Sequence, residues 1–259
     1  MKLMLAQQLS KVIPDETSKR RVGTVTRCIS FTRDILKSIN PVVDLSAADY
    51  INKHMQDYEI NNAKRLAAFI AMTIIESGNY RSTRENLRYS PSRALAVFGS
   101  RIGTLANAQK LCADKTGRAL ANHVYGGRFG NTGPDDGWRY RGGGWIQTTF
   151  KANYEELTKM TGIDFVKNPE LIEIPDNACI SAMVYWKSNG CNEAADDLVF
   201  RFGQSTLSAP NGNLIVGKAS FPKEAVLLRK RVNKAALDMT NFVFNLERAY
   251  AVLKPLFED

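Results

Sequence analysis

Residues 63–79 read AKRLAAFIAMTIIESGN. Between Leu66 and Ile75 the only polar residue is Thr73, so a helix here has almost no face to turn toward water and belongs at the centre of a domain. Asn62 before it supplies an N-cap, and Gly78-Asn79 after it supply a stop in left-handed conformation. Working outward, the apolar spacing stays helical along most of the chain, and alternating runs bounded by turn residues are scarce. The expected fold class is therefore mainly α. Ser46 with Asp49 predicts a capping box for a helix over AADYINKHM, and Ser90-Pro91 opens a short helix over SRALAVF. TLANAQKLCA, GRALANHVY, FKANYEELTKM and DNACISAMVYWKSNG continue the pattern, the last closing at Asn189-Gly190, and two helices follow near the C-terminus.

Three places break this rhythm. The run from Tyr125 to Gly144, YGGRFGNTGPDDGWRYRGGG, holds eight glycines and no helical period, which predicts a long loop. Long loops inside compact domains tend to be functional or disordered. Asn168-Pro169 marks a turn, and Phe202 to Phe221 reads as a second irregular stretch. No internal repeat or low-complexity linker interrupts the chain. Residues 1–45 read as a helical N-terminal extension and residues 46–259 as the main domain.

The 35 Lys and Arg against 26 Asp and Glu leave a formal charge of +9, which draws the surface toward a polyanion. Nucleic acid, anionic lipid and bacterial cell wall all satisfy that. The basic run LLRKRVNK at 227–234 stands near no nucleic-acid motif and reads as a solvated helix face, so nucleic acid is set aside as a partner. The opening MKLMLAQQLSKVIP is too weakly apolar for a signal peptide and too short to span a membrane, which predicts a protein first held in the cytoplasm. Cys28, Cys112, Cys179 and Cys191 show no CxxC spacing and only His54 and His123 accompany them. They read as free, buried thiols, and no metal site is expected.

Glu76 closes the apolar helix. Burial and the negative end of the helix both disfavour a charged carboxyl there, as a general acid requires. Glu85 follows nine residues on, which at about 100° per residue would put it on the opposite face of a continuous helix. The Gly78-Asn79 break removes that obstacle. A buried carboxyl and a second one among Arg84, Asn86 and Arg88 form the pair that glycoside hydrolysis uses. In the glycine-rich loop Tyr125, Phe129, Trp138 and Tyr140 alternate with Arg128, Arg139 and Arg141, a composition that suits sugar rings and hydroxyls. It equally suits a loop folded on its own aromatics. Within GGGWIQTTFKANY (142–154), Thr149 reads either as an ordinary helix N-cap or as a hydroxyl that holds a water.

Three stretches together resemble the family 19 glycoside hydrolases, the chitinases and related phage endolysins. They are RLAAFIAMTIIESGNYRSTRENLRYS (65–90), YGGRFGNTGPDDGWRYRGGGWIQTTFKANY (125–154) and WKSNGCNEAADD (186–197), in matching order over roughly residues 64–198. The resemblance implies a lysozyme-like helical domain with the glycine- and aromatic-rich loop lining the cleft. It puts Glu76 at the general acid, Glu85 at the general base and Thr149 at the water-positioning hydroxyl. Gln147, Asn153 and Tyr154 fall on substrate-binding or site-shaping positions, joined by Tyr125, Arg128, Trp138, Tyr140 and Arg141 from the loop. An inverting reaction is implied, with carboxyls about 6.5 to 9.5 Å apart and no cofactor. The chain departs from the family at Ile75, Gly143, Trp145, Thr148 and Phe150, and from Phe200 to Gly217, where the family's INGG-type segment is not recognisable.

The positive charge and the weak leader favour an endolysin that hydrolyses the β-1,4 bonds of peptidoglycan (GlcNAc/MurNAc). It would act as a monomer on the periplasmic wall after release through a separate membrane pore of the holin kind, with further contact to anionic outer-membrane or wall polymers. A chitinase, a bacterial toxin with the same residues, and a catalytically idle wall-binding or virion structural protein stay open at this point.

Overall fold

The computed structural model describes residues 29–258. Residues 1–28, with Cys28 and most of the expected N-terminal extension, lie outside the described residues. The described part divides into two compact units, residues 82–181 and residues 29–81 together with 182–258.

In the second unit α1 (Arg33–Ile39), α2 (Ala47–His54) and α3 (Ala63–Glu76) come first in the chain. α4 (Pro91–Ile102), α5 (Leu105–Cys112), α6 (Arg118–Tyr125), α7 (Asp136–Arg139) and α8 (Lys151–Thr161) build the first unit. A turn of 3-10 helix at Pro169–Glu173 precedes α9 (Pro175–Ser188), which carries the chain from the first unit back into the second. α10 (Cys191–Asp196), the strands β1 (Asn213–Val216) and β2 (Ala219–Pro222), α11 (Lys223–Val232) and α12 (Met239–Glu258) complete it. The mainly α expectation is met.

α3 is buried along nearly its whole length, as its missing polar face requires. Its chief partner is α12, whose Met239, Phe242, Leu246, Ala249 and Leu253 recur every three to four residues and form one apolar stripe. Phe69 meets Trp186 edge to face at 5.5 Å, the favoured geometry of an aromatic pair. The one polar side chain inside α3, Thr73, bonds back to the Phe69 carbonyl at 2.8 Å and lies 2.9 Å from the Tyr80 hydroxyl, so burying it leaves nothing unmade. Asn62 caps α3 through the Arg65 amide. At the other end the chain passes through left-handed Gly78, Asn79 and Tyr80, and the Asn79 amide donates to the Ile74 carbonyl at 2.8 Å. Leu36 and Ile39 of α1 are buried in the same unit.

The first unit is centred on Leu87, Phe98, Ile102, Leu120, Val124 and Phe150. The glycine-rich run is less open than its composition suggests, because α7 forms inside it and its polar residues tie it down. Asp136 accepts from the Thr132 and Gly133 amides, the Trp138 amide donates to the Asn122 side chain at 2.7 Å, and fully buried Asn131 bridges the Tyr125 carbonyl and the Lys151 amide.

Several local expectations are corrected. Ser46 does not cap α2 with its side chain; its amide and hydroxyl both donate to Asp44, so the Ser46/Asp49 box does not form. The stretch from Phe202 to Phe221 contains an antiparallel hairpin, Asn213 facing Pro222 and Val216 facing Ala219. Its strands are four residues long and largely exposed, so main-chain pairing defines them and apolar alternation does not. The basic run at 227–234 is not uniformly solvated: Lys230, Arg231 and Lys234 face water, but Arg229 is buried. Cys112, Cys179 and Cys191 are buried.

Candidate active site

Glu85 sits where three short extended segments meet. Arg84 pairs with Gly143, and Gly143 pairs with Thr148, in antiparallel bridges. The Glu85 amide donates to the Gly142 carbonyl at 2.8 Å and the Gly144 amide to the Thr83 carbonyl at 2.9 Å. This ladder points the carboxyl back onto the loop. One Glu85 oxygen accepts the Tyr125 hydroxyl at 2.7 Å and the other accepts the Gly142 amide at 3.2 Å. Charge-assisted bonds of this kind hold a carboxylate in one orientation. Burial, reinforced by the Glu85 charge, pushes the Tyr125 phenol well above its ordinary value and keeps it a donor.

Gly142 is also where Gln147 arrives. A Cβ built there would lie 2.9 Å from Gln147 Oε1 and 3.2 Å from Glu85 Cβ, so a larger residue would have to displace the amide or the carboxyl that converge on it. Gln147 itself has a φ of 60° and donates its side-chain amide to the Gly144 carbonyl. Thr149 is not the N-cap of α8; that place belongs to Phe150, with φ 75° and no side-chain cap. The Thr149 hydroxyl donates to the Gln147 carbonyl at 2.9 Å, which leaves its lone pairs to accept from a water. Asn153 supports it by donating to the Thr149 carbonyl at 2.7 Å.

Arg84 was named above only as a polar neighbour, yet it is the hub of this ladder. Its guanidinium reaches Glu173 at 2.7 Å, the Tyr154 hydroxyl at 2.9 Å and the Pro169 and Arg141 carbonyls at 3.0 and 3.3 Å. At Gly143 a Cβ would sit 2.6 Å from the Tyr154 hydroxyl and 3.1 Å from Arg84, so the departure from the family pattern there leaves room that Arg84 and Tyr154 occupy.

The loop residues divide into two sets. Tyr125 touches Glu85 directly. Tyr140 and Tyr154 are buried and give their hydroxyls to the Val166 and Arg141 carbonyls, so they brace the loop from inside. Arg128 lies over Phe150 and Phe129 at 5.1 and 5.4 Å. The Arg141 guanidinium carbon lies over the Trp138 ring, 3.6 Å from its centroid.

Glu76 belongs to the other unit. Only 4% exposed at the end of α3, it meets the Arg229 guanidinium of α11 at 2.6 Å. Arg229 is held in turn by the Leu237 carbonyl at 3.1 Å and by Met72 Sδ at 3.0 Å. Sequence reasoning missed this arginine because a basic run on a helix signals solvent; the apolar spacing of Ala225, Leu228 and Val232 around it was the available sign.

No family model matches the chain. A protein of Haemophilus influenzae named "Glycosyl hydrolase family 19 domain-containing protein" is 33% identical over 137 residues, which cover 52% of this chain and 66% of that relative. Over that span the chain is similar to a family 19 glycosyl hydrolase domain protein, and its mainly helical architecture is consistent with the likeness.

Proposed function

We propose that the chain is an inverting glycoside hydrolase that cuts the β-1,4 linkages of peptidoglycan and works as an endolysin, made in the cytoplasm and released to the wall through a separate pore. The observation that carries the reading is the Glu85 carboxyl, gripped on both oxygens by Tyr125 and Gly142 beside Gln147. A carboxylate so oriented is suited to take a proton from water. Glu76 gives its proton to the glycosidic oxygen as that bond breaks, and the adjacent Arg229 stabilises the carboxylate left behind. Thr149 orients the water, whose oxygen bonds to the anomeric carbon while its proton passes to Glu85. The named relative and the three matched stretches agree with glycan hydrolysis.

The test is release of reducing ends from purified peptidoglycan, with chitin oligomers in parallel. Wild type should cleave peptidoglycan, and Glu76→Gln and Glu85→Gln should each lose about 10²–10⁴-fold in kcat. Cleavage of chitin alone would move the substrate to the neutral polymer. A folded wild type that cleaves neither would make the chain a wall-binding or structural protein.

A further inference from the structure

We propose that Arg141 seats a carboxylate carried by the glycan and so makes the site select an acidic polymer over a neutral one; this rests on the reading of the site as one that binds and cleaves glycan. Arg141 directly precedes Gly142, the residue that grips Glu85. Its main chain is fixed, since its carbonyl accepts from both Arg84 and Tyr154. Its guanidinium is fixed as well, stacked on Trp138 at 3.6 Å with Nη1 donating to the Trp138 carbonyl at 2.8 Å.

What that guanidinium lacks, with Glu173 and Glu85 acting on it only through the electrostatic field, is a carboxylate in direct contact. Among the described residues Arg33, Arg65, Arg84, Arg118 and Arg229 each pair with a carboxylate, and Arg141 pairs with none. Its Nε is buried without a hydrogen-bond partner. A half-buried charge without a hydrogen-bonded counter-charge is costly, and burial together with the nearby Arg84 charge lowers the Arg141 pKa in spite of Glu173 and Glu85. A planar carboxylate meets the donor fork of a guanidinium in two parallel bonds, and Trp138 holds that fork ready. Peptidoglycan carries carboxylates on its peptide substituents, and on lactyl groups that bear no peptide, and chitin carries none. The residue therefore separates two polymers with the same backbone linkage.

The experiment titrates three ligands into the intact protein: soluble peptidoglycan fragments, the same fragments with carboxyls amidated, and chitin oligomers. Wild type should bind native fragments roughly tenfold more tightly than amidated ones, the scale of a charge-assisted pair. Arg141→Gln should lose most of that preference, keeping only the part due to the general positive field, and Arg141→Lys should fall between, because an ammonium keeps the charge without the fork. Equal wild-type affinity for native and amidated fragments, or an undiminished preference in Arg141→Gln, overturns the proposal. Should Arg141→Gln fail to fold, the wild-type comparison and Arg141→Lys decide it. Reducing ends are counted in the same samples, so selective binding without cleavage would remove the hydrolase reading and leave the carboxylate seat standing.

Discussion

Tyr125 and Glu85 are forty positions apart in sequence and 2.7 Å apart in space. Removing the phenol oxygen takes away one of the hydrogen bonds that orient Glu85. Tyr125→Phe should therefore lower kcat on peptidoglycan by roughly tenfold or more, the scale of a hydrogen bond to a charged group, with little change in melting temperature. Equal losses in kcat and stability would reduce Tyr125 to a packing residue. Arg229 poses the opposite case, since a buried carboxyl depends on it. Arg229→Met should cost about 3–5 kcal/mol in chemical denaturation. Glu76→Gln in the same chain should recover part of that loss, because the double variant no longer buries a carboxyl deprived of its guanidinium partner. No recovery would mean that Arg229 stabilises by packing alone.

At the scale of elements, α6 has to start without a side-chain cap, because left-handed Gly117 stands at its N-cap. Asp114 fills the gap from outside the helix, accepting from the Thr116 hydroxyl at 2.7 Å and from the Thr116 and Ala119 amides. Those bonds, the Thr116 hydroxyl first, lower its carboxyl from 3.8 to about 2. A depressed folded pKa contributes stability above the unfolded value that is lost as pH falls through the folded one. Asp114→Ala should accordingly melt below wild type at neutral pH, and the gap should close as pH drops from about 4 to about 2. A gap that persists at pH 2 would show that the carboxylate charge is not what caps α6. Helices with an apolar stripe or a capping side chain, such as α3 and α4, were legible in sequence. The β1–β2 hairpin was not, since its strands bury too little for alternation to report them.

At the scale of the whole molecule the +9 charge should contribute an attraction to anionic wall that depends on ionic strength. Screening shortens from about 30 Å at 0.01 M salt to about 10 Å at 0.1 M and about 3 Å at 1 M. Retention on sedimented peptidoglycan should be strong at the lowest of these and largely lost at the highest. Retention indifferent to salt would assign wall binding to specific contacts instead of the general field.

The sequence alone determined that the chain is mainly helical and that residues 63–76 are its most apolar helix, and its resemblance to a family motif singled out Glu76, Glu85, Gln147 and Thr149 as candidates. Each of those follows from local spacing, end signals or a contiguous motif, and local order survives folding. Only the tertiary structure decided that Tyr125 and the Gly142 amide grip Glu85, that Tyr140 and Tyr154 brace the loop from inside, and that Arg229 leaves solvent to meet Glu76. Those pairings join residues tens to more than a hundred positions apart, where the path of the backbone selects the partner and no local period records it.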